Sequence, residues 1–168
     1  TDLPQHTTVR NGVPRWPGWL AAGIVLLCNA VWAQEFAFVS DDSLPLVQPD
    51  GSVLSELPRW TLLDVTRQED GLLTVRHEQQ EFQVRRGQVY LSSQFPFIND
   101  GNRDDMRYVV ESMGLAVQSS NDENYQLALK TADNARQRLL LLAPEGTLLD
   151  PLIRHFQALQ WLEQGEYD

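Results

Sequence analysis

The sequence predicts a mainly β plus α+β protein, a small antiparallel β-barrel followed by a C-terminal helix, hairpin and helix. Three observations carry this. Leu63 to Thr66, Leu73 to Arg76 and Phe82 to Val84 alternate apolar and polar side chains at period two, as half-buried strands do. Turn formers punctuate them: Pro49, Asp50 and Gly51 ahead, Arg67 to Gly71 between, and Gly87 before Val89, Tyr90 and Leu91. Further on the period becomes helical, with Met106, Val109, Val110 and Met113 on one face.

Residues 1–33 read as a leader. Arg10 and Arg15 precede an apolar run from Trp19 to Cys28, and Val31-Trp32-Ala33 places small residues three and one positions before a cut after Ala33. The alternative is an uncleaved anchor. Cleavage is favoured, because the run is shorter than the roughly 20 residues that span a bilayer and Asn29 interrupts it. A lipoprotein signal is disfavoured by Leu27, where a small residue is needed before the cysteine. The expected location is therefore periplasmic or secreted, with membrane contact only through an uncleaved leader. The full chain has 168 residues and a formal charge of −10. Cleavage removes one acid, two arginines and Cys28, the only cysteine. The remainder would be one unit more negative, with neither a disulfide nor a thiol nucleophile. Such a surface repels nucleic acid and anionic lipid, so basic proteins, glycans or peptides are the expected partners.

The barrel is expected over 36–95, with Leu57, Leu63, Val65, Leu73, Val75, Phe82, Val84 and Val89 pointing inward. The C-terminal segment is 96–168. There Phe95 to Asn102 is turn-rich, Asp104 caps a helix and Gly114 ends it. Ala116-Val117 and Tyr125 to Leu129 read as two strands joined by a polar turn at 119–124. Residues 136–143 fit a buried strand or the end of a helix starting near Asp133, and periodicity leaves both open. Asp150 and Pro151 start a last helix with a stripe of Leu152, Ile153, Phe156, Leu159 and Leu162.

The run from Val39 to Val89 resembles the bacterial Src-homology-3-type (SH3-like) domain. Leu44 and Leu46 ahead of Pro49 to Gly51 match its first strand and loop. Val53, Leu57, Pro58 and Thr61 match the run before its Leu63/Val65 strand. Gly71, Leu72 and Val75 match a later strand, and Val84 and Val89 the closing one. Trp60 stands where the family prefers glycine, and Leu72 and Gln83 replace its two characteristic tryptophans. The resemblance implies a barrel and a recognition role, and carries the fold further than the ligand surface. RYVVESMGLAV and NYQLAL, within 107–130, are similar in pattern to copper amine oxidase N-terminal-like repeats. These are envelope modules whose name implies no copper or oxidase chemistry.

No catalytic constellation is legible. His77 and His155 lack the partners a metal site needs, and the pairs Ser92-Ser93 and Ser119-Ser120 lack nucleophile-elbow glycines. No phosphate loop is present. Asp41-Asp42 and Asp104-Asp105 lack calcium-loop spacing and read as caps and solubilising charge. The expectation is a protein that is not an enzyme and takes no cofactor or metal. Its candidate ligand contacts are Trp60, Tyr90, Arg85 and Arg86. Trp60 is either the lid of the barrel or an exposed aromatic in a groove. Arg85 and Arg86 are either a solvated pair or a contact for a carboxylate. The expected function is an exported binding protein of the bacterial envelope that recognises cell-wall peptide (peptidoglycan) or an envelope protein. The alternative is an acidic periplasmic inhibitor or immunity protein that blocks a basic enzyme.

Overall fold

The computed structural model describes residues 35–47 and 52–165. The expected leader with its cut after Ala33, and the turn at 49–51, lie outside the described residues. Seven strands come first: β1 (Phe36–Val39), β2 (Ser43–Val47), β3 (Val53–Pro58), β4 (Leu62–Glu69), β5 (Leu72–His77), β6 (Gln80–Arg85) and β7 (Val89–Leu91). Three helices follow, α1 (Arg103–Asn121), α2 (Tyr125–Leu142) and α3 (Leu149–Glu163). Among the described residues the helices hold more of the chain than the strands, so the protein is α+β and not mainly β.

The strands form a five-stranded antiparallel sheet, ordered β6-β5-β4-β1-β7, and a separate β2-β3 hairpin. Asp70 and Gly71 (φ 26° and 86°) turn β4 into β5, and Glu78 and Gln79 (φ 47° and 69°) turn β5 into β6. Paired positive φ values are what two-residue hairpin turns need to match strand twist. The hairpin closes over one face of the sheet. Leu44, Leu46 and Leu57 from it meet Leu63, Val65, Leu73, Val75, Val84 and Val89 in one cluster, with Phe82 half-buried at its edge. The eight residues expected to face inward do so. The barrel itself is not closed: β2 approaches β6, yet no hydrogen-bonded ladder joins them.

β1 sits in the middle of this architecture. It pairs with β4 through Ala37↔Leu63 and with β7 through Ala37↔Leu91, and all four of its residues are buried. Ala37 and Val39 face the barrel cluster. Phe36 and Phe38 face the other way, into a second cluster with Met106, Val110 and Met113 of α1. The sheet and the helices therefore share a core, and the described residues form one compact unit. The boundary expected at 95/96 falls in the connection between β7 and α1.

The helical layer corrects the sequence reading most. No hairpin forms over 116–130. α1 continues to Asn121, a turn at 122–124 reverses the chain, and α2 starts at Tyr125, where Asn124 Oδ1 accepts from the Leu127 N–H at 3.3 Å. The helix–glycine–strand–turn–strand pattern over 107–130 is thus replaced by two helices. The short alternation at Leu127 and Leu129 was outweighed by the longer spacing of Ala128, Ala132, Ala135 and Leu139, all fully buried. Small side chains there and at Ser112, Ala116 and Ser119 let α1 and α2 pack closely. The open choice at 136–143 resolves as helix up to Leu142, in a helix that begins well before Asp133.

Gly114 does not end α1; it lies inside it. A Cβ there would meet the Trp60 carbonyl oxygen at 3.3 Å, so the glycine permits the β3–β4 turn to press against the helix. Asp104 lies in the first turn of α1 and not at its cap, which is Asn102. Asp150 likewise lies inside α3. Its nearly buried carboxylate accepts from Arg136 Nε at 2.7 Å and pairs with Arg154 Nε at 2.8 Å, which ties α3 to α2. Between the layers, both terminal nitrogens of Arg107 donate to Asp64 Oδ1 at 3.0 Å, and the guanidinium carbon sits 5.5 Å from the centre of the Phe36 ring. The stripe expected on α3 is only partly covered. Ile153 is buried and Leu152 and Phe156 are half-buried, while Leu159 and Leu162 are exposed.

Candidate ligand groove

The four candidate contacts do not converge. Trp60 occupies the β3–β4 turn at φ 68°, a left-handed conformation that costs energy for a bulky side chain. Its N–H donates to the Val39 carbonyl at 3.0 Å, and its indole stacks on Phe38 at 5.2 Å with the planes 4° apart. With 2% of its surface exposed, Trp60 is core, and the exposed-aromatic reading of it is overturned. Bulk decided this: the gap between β1 and α1 is large enough for an indole, and no smaller turn residue would fill it. Tyr90, half-buried, joins the same cluster, 5.4 Å from Phe38 and 6.1 Å from Phe95.

Arg85 and Arg86 are exposed at the end of β6. The Arg85 N–H donates to Gln88 Oε1 at 3.2 Å, and the Arg86 N–H donates to the Gly71 carbonyl at 3.0 Å. The side chains enter different hollows. Arg86 borders a small one of about 120 Å³ beside Glu69 and Asp70. Arg85 borders a groove of about 1050 Å³, far larger than the cleft of about 290 Å³ between the Trp60 turn and α1.

The large groove follows the open side of the barrel. Pro45 and Val47 of β2 and Leu54 of β3 line it on one side; Leu72, Thr74, Phe82 and Arg85 of β5 and β6 line it on the other. Val47, Leu54 and Leu72 are 46%, 47% and 44% exposed, unusually open for large aliphatic side chains brought together in one concavity. The register fixes what stands beside each charge. On the outward face of β5 and β6, Arg76 lies opposite Glu81, Thr74 opposite Gln83, and Leu72 opposite Arg85. Arg85 thus faces an aliphatic side chain, and Arg76, opposite Glu81, makes its ion pair with Asp64 of β4 at 4.0 Å.

Of the groove's lining, the sequence singled out Arg85 and not the apolar wall beside it. The signal for it was the doubling of apolar residues where alternation calls for one. In Leu72-Leu73 the second residue is buried and the first is open, and Val53-Leu54 breaks phase near the hairpin tip. A second open depression of about 640 Å³ lies between α1 and α2, bordered by Tyr108 and Leu141 and bridged by an Arg138–Asp105 ion pair. Among the described residues no group of three His, Cys, Asp or Glu side chains is placed to hold a metal, and no helix is long and apolar enough to cross a membrane. No family model, no curated protein and no solved structure matches the chain.

Proposed function

We propose that the chain is an exported, non-catalytic binding protein of the bacterial envelope, and that the groove beside β6 is where it takes a cell-wall peptide or a segment of another envelope protein. The observation that carries this is the groove's make-up: three half-exposed aliphatic side chains and an unopposed arginine in one concavity. Apolar walls with a few fixed polar groups are the usual composition of a recognition site. The residue most suited to a surface anchor by type, Trp60, is engaged in the core, so binding falls to the aliphatic wall and Arg85. Export rests on the charged start and short apolar run of residues 1–33.

Two measurements test the reading. Mass spectrometry of the protein from its native host is expected to find Gln34 as the first residue, and full-length chain retained in the membrane would sink the export step. Binding of the full chain to purified wall and to envelope proteins is expected to fall at least tenfold in Leu54→Asp and Leu72→Asp, as for removal of a central contact worth about 2 kcal/mol. The inhibitor alternative predicts the reverse. Binding would ignore those substitutions, weaken steeply with salt, and slow on charge reversal at Asp41-Asp42 or Asp104-Asp105. Two of those four acids already face an arginine of the chain, Asp42 with Arg59 at 3.3 Å and Asp105 with Arg138.

A further inference from the structure

Resting on the groove reading above, we infer that the occupant is an extended segment of a partner protein. It carries a carboxylate that Arg85 receives and large aliphatic side chains that lie against Val47, Leu54 and Leu72. Charge complementarity is the first argument. In a chain of net charge −10, Arg85 makes no ion pair among the described residues and its cross-strand neighbour is Leu72, while Arg76, opposite the groove's one acid, Glu81, pairs with Asp64 of β4. The groove therefore offers an unpaired positive charge at Arg85, at the opposite end of β6 from Glu81, within a surface that repels polyanions. That combination selects a ligand with a single, placed carboxylate over a highly charged one.

The second argument is shape. Among the described residues β6 is hydrogen-bonded on one side only, to β5, and β2 only to β3. The groove thus runs between two strand edges whose outward backbone groups have no ladder, the setting in which extended chains are held. Side chains of an extended ligand recur every second residue on one face, matching the two-residue spacing from Arg85 to Gln83 and from Leu72 to Thr74. The third argument is size. A groove of about 1050 Å³ walled by leucines and valine suits Ile, Leu or Phe side chains better than the small methyl groups of alanine-rich wall peptides.

The probe is a set of fluorescein-labelled short peptides alternating Thr with Ile, Val or Phe, each made once with a single Glu and once with Gln in its place. Members of the Glu set are expected to bind the full chain at least about tenfold tighter than their Gln counterparts, the effect of one charge-assisted hydrogen bond. Arg85→Gln is expected to erase that preference, Arg86→Gln to keep it, and Leu54→Ser or Leu72→Ser to weaken both sets alike. All four positions are exposed, so thermal melts should show folded variants. Indifference of the wild type to Glu against Gln overturns the inference, as does a preference that survives Arg85→Gln or a failure to bind either set. If purified wall or its stem peptides bind in a Leu54- and Leu72-dependent way while the probes do not, this inference fails and the groove reading stands. If those substitutions leave all binding unchanged, both fail.

Discussion

The two cores of this protein are built from different materials. The barrel core is mostly leucine and valine, contributed by strands with one dry face and one wet one, together with Ala37 and Val39 of the doubly buried β1. The helix-facing core is aromatic and soft: Phe36, Phe38, Trp60 and Phe95 against methionines, valines and alanines of the helices. Strand against strand needs regular side chains that interdigitate, whereas helices crossing a sheet leave uneven gaps that rings and thioethers fill better. Under the proposed reading, the difference separates the joining surface from the binding one. Aromatic residues that look like ligand anchors are spent joining the layers, and the open concavity is left to the aliphatic edge of the barrel.

The comparison can be broken by substitution, and the largest effect is expected on the helix side. Trp60→Ala or Phe38→Ala should destabilise by about 3–5 kcal/mol in urea unfolding, as expected for a large buried aromatic. A Trp60→Ala protein as stable as wild type would show that the layers are held by something other than the ring stack. On the barrel side, Val65→Asp places an unpaired carboxylate among leucines and valines and should cost on the order of 3 kcal/mol. An unshifted melt would refute the inward register of β4. The contact between the layers is sharpened by Gly114→Val, whose added atoms press on the Trp60 carbonyl and should cost about 2 kcal/mol. Asp64→Asn weakens the partly exposed Arg107 pair and should remove only about 0.5–1 kcal/mol, less in high salt. Smallest of all, Arg85→Gln should leave stability within about 0.5 kcal/mol of wild type while altering what binds.

The antiparallel sheet was legible because half-buried strands write alternation into the sequence, and Leu63, Val65, Leu73 and Val75 do so in phase. β1 was not. Phe36-Ala37-Phe38-Val39 is buried on both faces, so it has no alternation to read. The helix at Tyr125 was hidden for a different reason. Its buried face is mostly alanine, which scarcely registers as apolar beside the leucines at 127 and 129, so a five-residue window favoured a strand. Gly114 carried the opposite error. Glycine in a helical pattern suggests an end, and only the approach of a turn from another layer explains its place in the interior. The side chains lining the groove were half legible. Arg85 stood out as part of a charge pair, but nothing local reveals that Leu72, Val47 and Leu54 meet across the opening of the barrel.

The double burial of β1 has a consequence for synthesis. The strand emerges from the ribosome roughly fifty residues before its β7 partner and well ahead of the helices that cover its phenylalanines, and segments so exposed are where nascent chains associate wrongly. Until Arg103 to Asn121 has been made, Phe36 and Phe38 have no cover from α1. In that interval the four apolar residues of β1 are the part of the sheet most open to wrong association.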